Sequence, residues 1–387
     1  MTALRTHTST SPRFSDREND GPLWLRLDAS IILLTIALLG IGIVVVFSAT
    51  RGVLNPEDIA NTGFLKRQAV FIAVGFVAAG ITTAVDYRKL KVAVPFVYGV
   101  GLLALLGLFV FGSDLNTFAT SWYSLGFITV QPSEFAKLAL ILALASWFST
   151  VESREGLEFV NVLVGLALSG SYAGLVLLQP DFGTVMVYAA VVAGIVLVAG
   201  VAMRHVVAVL VAVSVAIYAM IRSGYLLETQ LNRFTSFVSS DPANLARWNV
   251  NQSEIAIGSG GLSGQGLFQG TQNINSLVPE KETDFIFSVL GEEFGFIGGA
   301  LLLALMGLLL LRIWRVAHLA EDEFGRLICV GVFSMFLFQT FQSVGMNMGI
   351  MPVTGIPLPL ISYGGSSMVT SLIALGLVEN VHAHRLR

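Results

Sequence analysis

The sequence predicts an all-α polytopic membrane protein. It has about ten transmembrane helices, both termini in the cytoplasm, and one long extracytoplasmic loop between helices 7 and 8. Three observations carry this. Hydrophobic residues make up 55% of the chain and charged residues 12%, about half the charged share of a soluble domain. Apolar runs recur at the roughly 20 residues needed to cross a bilayer. Lys and Arg gather in alternate connecting segments.

The runs lie near 28–49, 68–85, 90–112, 134–150, 159–179, 182–201, 203–222, 284–311, 325–350 and 364–381. The tenth is short and suits a helix that begins inside a re-entrant loop. With the N-terminus inside, 14 of the 22 Lys and Arg fall on the cytoplasmic side. Of the rest, Arg222 borders the loop 223–283 and Arg233, Arg247 and Lys281 lie in it; its length of about 60 residues weakens the charge rule. The outer side then holds the long polar segments 50–67, 113–133, 223–283 and 351–363, and chemistry is expected there. Residues 1–26, polar and carrying Arg5, Arg13, Arg17 and Arg26, predict a disordered cytoplasmic tail. The first apolar run exceeds the about 7–15 residues of a cleaved signal, so it is expected to stay as an anchor. Residues 27–387 form one transmembrane domain.

The net charge of -3 argues against nucleic acid as a partner. The one cysteine, Cys329, allows no disulfide framework. Among five histidines only His382 and His384 are closely spaced, in a C-terminal tail. No repeat of 20–50 residues is visible.

Five segments could carry chemistry. In WYSLGFITVQPSEFAKLAL, Pro132 suits a first helical turn and Glu134 the positive end of its dipole. Glu134 and Lys137 share a face. They are either a local ion pair or a charged pair lining an outer cavity, with Trp122 and Gln131 beside them. In LLQPDFGT, Asp181 is turn chemistry or a site residue between two apolar runs. The long loop carries AIGSGGLSGQG, with Gly258, Gly260, Gly261, Gly264 and Gly266. It reads as a flexible lid or a backbone nest for phosphate, with Arg233, Arg247 and Lys281 supplying positive charge.

In PEKETDFIFSVLGEEFGF, Thr283 or Asp284 either caps a helix or sits as a carboxylate at the water–lipid boundary, with Glu280 and Lys281 alongside. Glu292 and Glu293 fall roughly 12–13 Å further along a helix. Carboxylates at that depth are expected to serve function or to hold the cavity. Finally, PVTGIPLPLISYGGSS combines Pro352, Pro357 and Pro359 with Ser362, Gly364 and Gly365 and has no charge. Backbone this irregular at membrane depth must be covered by protein or line a wet cavity.

Together, QPSEFAK, QPDFGT, AIGSGGLSGQG, PEKETDFIFSVLGEEFG and MPVTGIPLPLISYGGSS, in that order, resemble the SEDS family, which includes RodA, FtsW and the sporulation homologue SpoVE. The match spans about 28–381, and GLFQGTQN looks more like the RodA branch. The resemblance implies ten transmembrane helices and a peptidoglycan glycosyltransferase. Such an enzyme polymerises lipid II outside the cytoplasmic membrane, beside a class B penicillin-binding protein and other elongation proteins. It makes Asp284 the essential aspartate and Glu134 and Lys137 the polar pair. Two positions depart from the family pattern. Glu282 stands where His is usual, which should raise the Asp284 pKa, and Ser121 stands where Arg usually precedes the Trp.

The expected mechanism has Asp284 as the base for the acceptor hydroxyl and Lys137 offsetting the leaving diphosphate. A divalent cation such as Mg2+ is a candidate that no ligand spacing demands. A lipid II flippase, a scaffold for the penicillin-binding protein, or an FtsW-like glycosyltransferase of the division machinery are the competing readings.

Overall fold

The computed structural model describes residues 23–51, 62–112, 121–124, 126, 129–151, 159–222 and 245–385. A 3-10 turn, Leu23–Arg26, leads into α1 (Ala29–Thr50), followed by α2 (Thr62–Ala84) and α3 (Tyr87–Phe111). Strands β1 (Tyr123–Ser124) and β2 (Thr129–Val130) pair antiparallel, with Tyr123 opposite Val130. Then come α4 (Pro132–Thr150), α5 (Phe159–Leu178), α6 (Phe182–Val198) and α7 (Met203–Arg222). The chain ends with α8 (Leu245–Ser259), α9 (Thr271–Ile274), α10 (Ile286–Leu319), α11 (Glu323–Asn347) and α12 (Gly365–His384).

A helix covers each of the ten predicted runs. Six of them, α1, α2, α3, α5, α10 and α11, are long and apolar enough to cross a membrane. Their outer faces carry exposed apolar side chains such as Val77, Ile81, Phe96 and Leu311, which suits lipid rather than water. α11 runs through the middle, packed on α10, α6 and α4, while α2 lies along α12. A Cβ at Gly376 would stand 2.8 Å from the Ala79 carbonyl oxygen. That contact is the small-residue approach by which helices associate in lipid. Asp28, Asp86 and Asp322 cap α1, α3 and α11 by accepting from Ser30, Arg88 and Gly325 N–H groups.

Three expectations change. Leu23–Arg26 form a turn that packs on α12, so order begins before the predicted end of the tail; residues 1–22 lie outside the described residues. The segment 223–283 is not one open loop, because α8 and α9 occupy part of it and α8 packs on α10 and α11. Last, α10 runs to Leu319, and its 34 residues are interrupted at Gly295, where φ is 65° and ψ is -164°. Unbroken, it would be about 51 Å long, well beyond the roughly 30 Å hydrocarbon core.

Candidate active site

Asp284 sits in a turn ahead of α10. The N–H groups of Thr283, Asp284 and Phe285 all donate to the Glu280 carbonyl, at 3.2, 3.0 and 3.2 Å. Glu280 itself has a φ of 47°, a strained conformation for a residue with a side chain. The helix N-cap is Phe285, with no side-chain capping bond. Neither Thr283 nor Asp284 is therefore the cap, and the simplest structural reading of that aspartate fails. Asn347, fully buried at the end of α11, donates to the Asp284 carbonyl at 2.9 Å and accepts from Ser288 N–H at 3.1 Å. Ser253 of α8 donates to its backbone carbonyl at 2.8 Å. One amide thus locks α8, α10, α11 and the aspartate turn together. The sequence reading missed Asn347; its signal was an asparagine closing an apolar helix.

The segment 351–364 has no regular structure and is mostly covered by protein, as its irregular backbone requires. Pro359 is buried in it and Pro357 half-buried. It is stitched to the aspartate turn. Tyr363 N–H donates to the Glu282 carbonyl at 2.9 Å, and the Ser362 hydroxyl to the Thr283 carbonyl at 2.6 Å. Gly355 is exposed, with φ 70°, and a Cβ there would lie 3.4 Å from Asp284 Oδ2. Its neighbour Thr354 presents its carbonyl oxygen to Gly183, where a Cβ would come within 2.6 Å. Two consecutive residues therefore separate the QPDFG turn from the Asp284 carboxylate.

Asp181 caps α6 through Thr184 N–H at 3.0 Å and also accepts from Gln131 Nε2 at 3.1 Å. It is both a cap and a bridge to the start of α4. Gln131 N–H in turn donates to Ser366 Oγ at 3.0 Å, tying that start to α12. Gly364 precedes α12, and Gly365 accommodates the Phe71 ring. Within α4, Pro132 occupies the first turn, and Glu134 and Lys137 form a 2.7 Å ion pair with side chains 6% and 1% exposed. The pair is sealed inside the protein rather than lining an open cavity.

The glycine segment is neither lid nor nest. In a continuous helix the Glu292 and Glu293 carbonyls would accept from Phe296 and Ile297 N–H, and the break at Gly295 removes those bonds. The glycine segment replaces them. Gln265 and Gly266 N–H groups donate to the Glu292 and Glu293 carbonyls at 2.9 and 3.1 Å. Phe296 and Ile297 N–H groups donate to the Gly261 and Leu262 carbonyls at 2.9 and 3.1 Å. The Gln265 and Gly266 amides are spent on a helix splint, and those of Gly260, Gly261 and Gly264 on the carbonyls of Ile257, Gly258 and Gly260.

The two glutamates serve the same region. Glu292, fully buried, accepts from Gln272 and Asn273 N–H at 2.7 and 3.0 Å and so caps α9. Glu293 accepts from Ser48 of α1 and from Asn273 Nδ2. Lys281 turns its ammonium onto the Asn273 carbonyl and Ser276 Oγ, and burial lowers its pKa from the ordinary 10.5. These three charged side chains hold α9. Glu280 is exposed and Thr283 half-buried.

Trp122 is half-buried at the β1 end; beside it the buried Ser121 hydroxyl donates to the Gln179 carbonyl at 3.1 Å. Arg247 lies half-exposed in the first turn of α8, and Arg233 lies outside the described residues. Among the described residues, no group of three or more His, Cys, Asp or Glu could hold a metal.

Fold and site define a polytopic membrane protein whose TDF, PVTG and QPDFG segments meet around a single aspartate turn. The family model described as cell cycle protein FTSW_RODA_SPOVE matches residues 29–387, and the chain belongs to that family. It is 34% identical to the probable peptidoglycan glycosyltransferase FtsW of Trichlorobacter lovleyi, over 92% of this chain and 93% of that protein. It is 33% identical to the peptidoglycan glycosyltransferase MrdB of Escherichia coli K12, over 96% and 98%. A solved structure described as a peptidoglycan synthase complex that coordinates polymerization and crosslinking matches with a TM-score of 0.78. It is 31% identical and covers 94% of this chain and 99% of the matched one.

Proposed function

We propose that this chain is a peptidoglycan glycosyltransferase that polymerises lipid II on the outer face of the cytoplasmic membrane. It crosses that membrane ten times with both termini inside and works with a class B penicillin-binding protein. The observation that carries this is the convergence of the TDF turn, the PVTG loop and the QPDFG turn on one carboxylate, Asp284, beside the exposed Gly355. The relatives named as peptidoglycan glycosyltransferases support the chemistry, and the matched synthase complex supports a crosslinking partner.

In the proposed reaction, Asp284 takes the proton from the 4-hydroxyl of the acceptor N-acetylglucosamine. That oxygen attacks C1 of the donor N-acetylmuramic acid. The C1–O bond to the diphosphate breaks, the electron pair leaves with the lipid diphosphate, and the anomeric centre inverts. Arg247, half-exposed, is available to offset the leaving charge. Lys137 becomes available only when its buried pair with Glu134 opens. No step is routed through a metal.

The test is polymerisation of purified lipid II by the chain with its cognate penicillin-binding protein, wild type beside Asp284→Ala. Polymer from the first and none from the second supports the assignment. No polymer from an intact wild-type complex overturns it and leaves flippase or scaffold. The FtsW and MrdB relatives match almost equally, so the branch rests on GLFQGTQN, which favours elongation. Depletion in the source cell should then give round cells. Filaments would mark a division role.

A further inference from the structure

α1 and α10 flank a groove of about 470 Å3, walled by Leu33, Leu34, Leu308 and Leu311 and headed by Arg312 and Arg315. Leu33, Leu308 and Leu311 are 67, 50 and 64% exposed. Such a wall is stable only against hydrocarbon, so the groove faces lipid. Its head is different in kind. Arg312 is fixed by donating to Ser30 Oγ at 2.7 Å and lies 3.8 Å from the Asp28 carboxylate, which offsets part of its charge. Arg315, three residues on and so on the same helix face, is exposed and makes no ion pair or side-chain hydrogen bond among the described residues.

Both guanidinium groups line the groove, and among the described residues the Asp28 carboxylate pairs with Arg312 alone. Glu379 of α12 is engaged with the Asp28 backbone. It accepts the Asp28 N–H at 2.9 Å and lines a separate groove. Among the described residues the head is left with a net positive charge beside the apolar wall of the groove.

We propose that this groove binds an anionic phospholipid, with its phosphate on Arg312 and Arg315 and one acyl chain along the leucines. In the orientation proposed above, the groove opens to the cytoplasmic leaflet, where anionic lipids and basic pockets between helices meet. A zwitterionic lipid brings no net charge to the excess cation. Free phosphate gains nothing from the leucine walls.

The test uses the full-length protein, delipidated in mild detergent and titrated with phosphatidylglycerol or with phosphatidylcholine of the same chains. Bound lipid is counted by native mass spectrometry. The wild type should favour phosphatidylglycerol. Arg315→Gln should weaken that preference about five-fold, the share of one guanidinium near a headgroup, without changing phosphatidylcholine binding. Leu308→Trp, which fills the groove, should lower retention of the preferred lipid with the arginines intact. Arg326→Gln removes an exposed cation already paired with Glu323 and should leave the preference unchanged. Inorganic phosphate should not displace the lipid. An unchanged preference in Arg315→Gln, or equal loss in Arg326→Gln, overturns the assignment. The readout depends on neither polymerase activity nor membrane orientation.

Discussion

The backbone of Gly264 lies against the backbone of Glu293, so closely that a Cβ on Gly264 would sit 2.1 Å from the Glu293 carbonyl oxygen. That approach lets the glycine segment supply the hydrogen bonds that α10 loses at Gly295. Unsatisfied carbonyls away from water cost several kcal/mol each. The broken helix and the glycine segment therefore stand or fall together.

Gly264→Ala should consequently destabilise the protein. Its φ of +81° and the contact with Glu293 both oppose a side chain. The expected cost is on the order of 2–4 kcal/mol, from strain plus a disrupted hydrogen bond. Gly258→Ala should do no harm, since nothing lies within 4 Å of its Cβ and alanine favours the helix. Thermal unfolding in detergent distinguishes the two. Equal midpoints would sink the splint.

The buried pair gives a second prediction. Lys137→Ala strands the Glu134 carboxylate, and Glu134→Ala strands the ammonium, in a site that excludes water. Each should cost about 3–5 kcal/mol, and the double replacement Glu134→Ala with Lys137→Ala should cost much less than the sum. A double-mutant cycle on unfolding midpoints measures this. Additive losses would mean the two side chains act apart.

Asn347 is expected to matter through position. Asn347→Leu removes the bonds to the Asp284 carbonyl and Ser288 N–H while keeping the volume. A positioning role predicts a fall in polymerisation rate of at least ten-fold with a smaller change in lipid II affinity. Equal loss of both, or neither, speaks against it.

Much of this architecture was legible in the sequence because apolar run length and basic loops are strong signals in lipid. Asp284, the QPDFG turn and the PVTG loop were picked out as separate motifs, and the structure brings them together. What was not legible depends on partners distant in sequence. Nothing local says that Gln265 will bond Glu292, that Lys281 will turn to Asn273, or that Asn347 will reach Asp284. The glycine run reads as a lid or a nest because glycine permits both flexibility and close backbone contact. Only the neighbouring helix decides which.

Lys281 supplies the pH prediction. Burial lowers its pKa below the ordinary 10.5, although the nearby Glu282, Glu292 and Glu293 oppose the shift. Between the lowered value and 10.5, the unfolded chain holds a proton that the folded chain has released. Stability from this group therefore rises with pH across that window and is lost as pH falls through the folded value. The difference in unfolding free energy between the wild type and Lys281→Met should accordingly grow in favour of the wild type as pH is raised toward 10.5. A pH series of denaturation midpoints for both proteins reads that difference. A gap that shrinks with rising pH would mean the ammonium is held charged by its acidic neighbours, and that the α9 contact is an ion-pair network rather than a desolvated hydrogen bond.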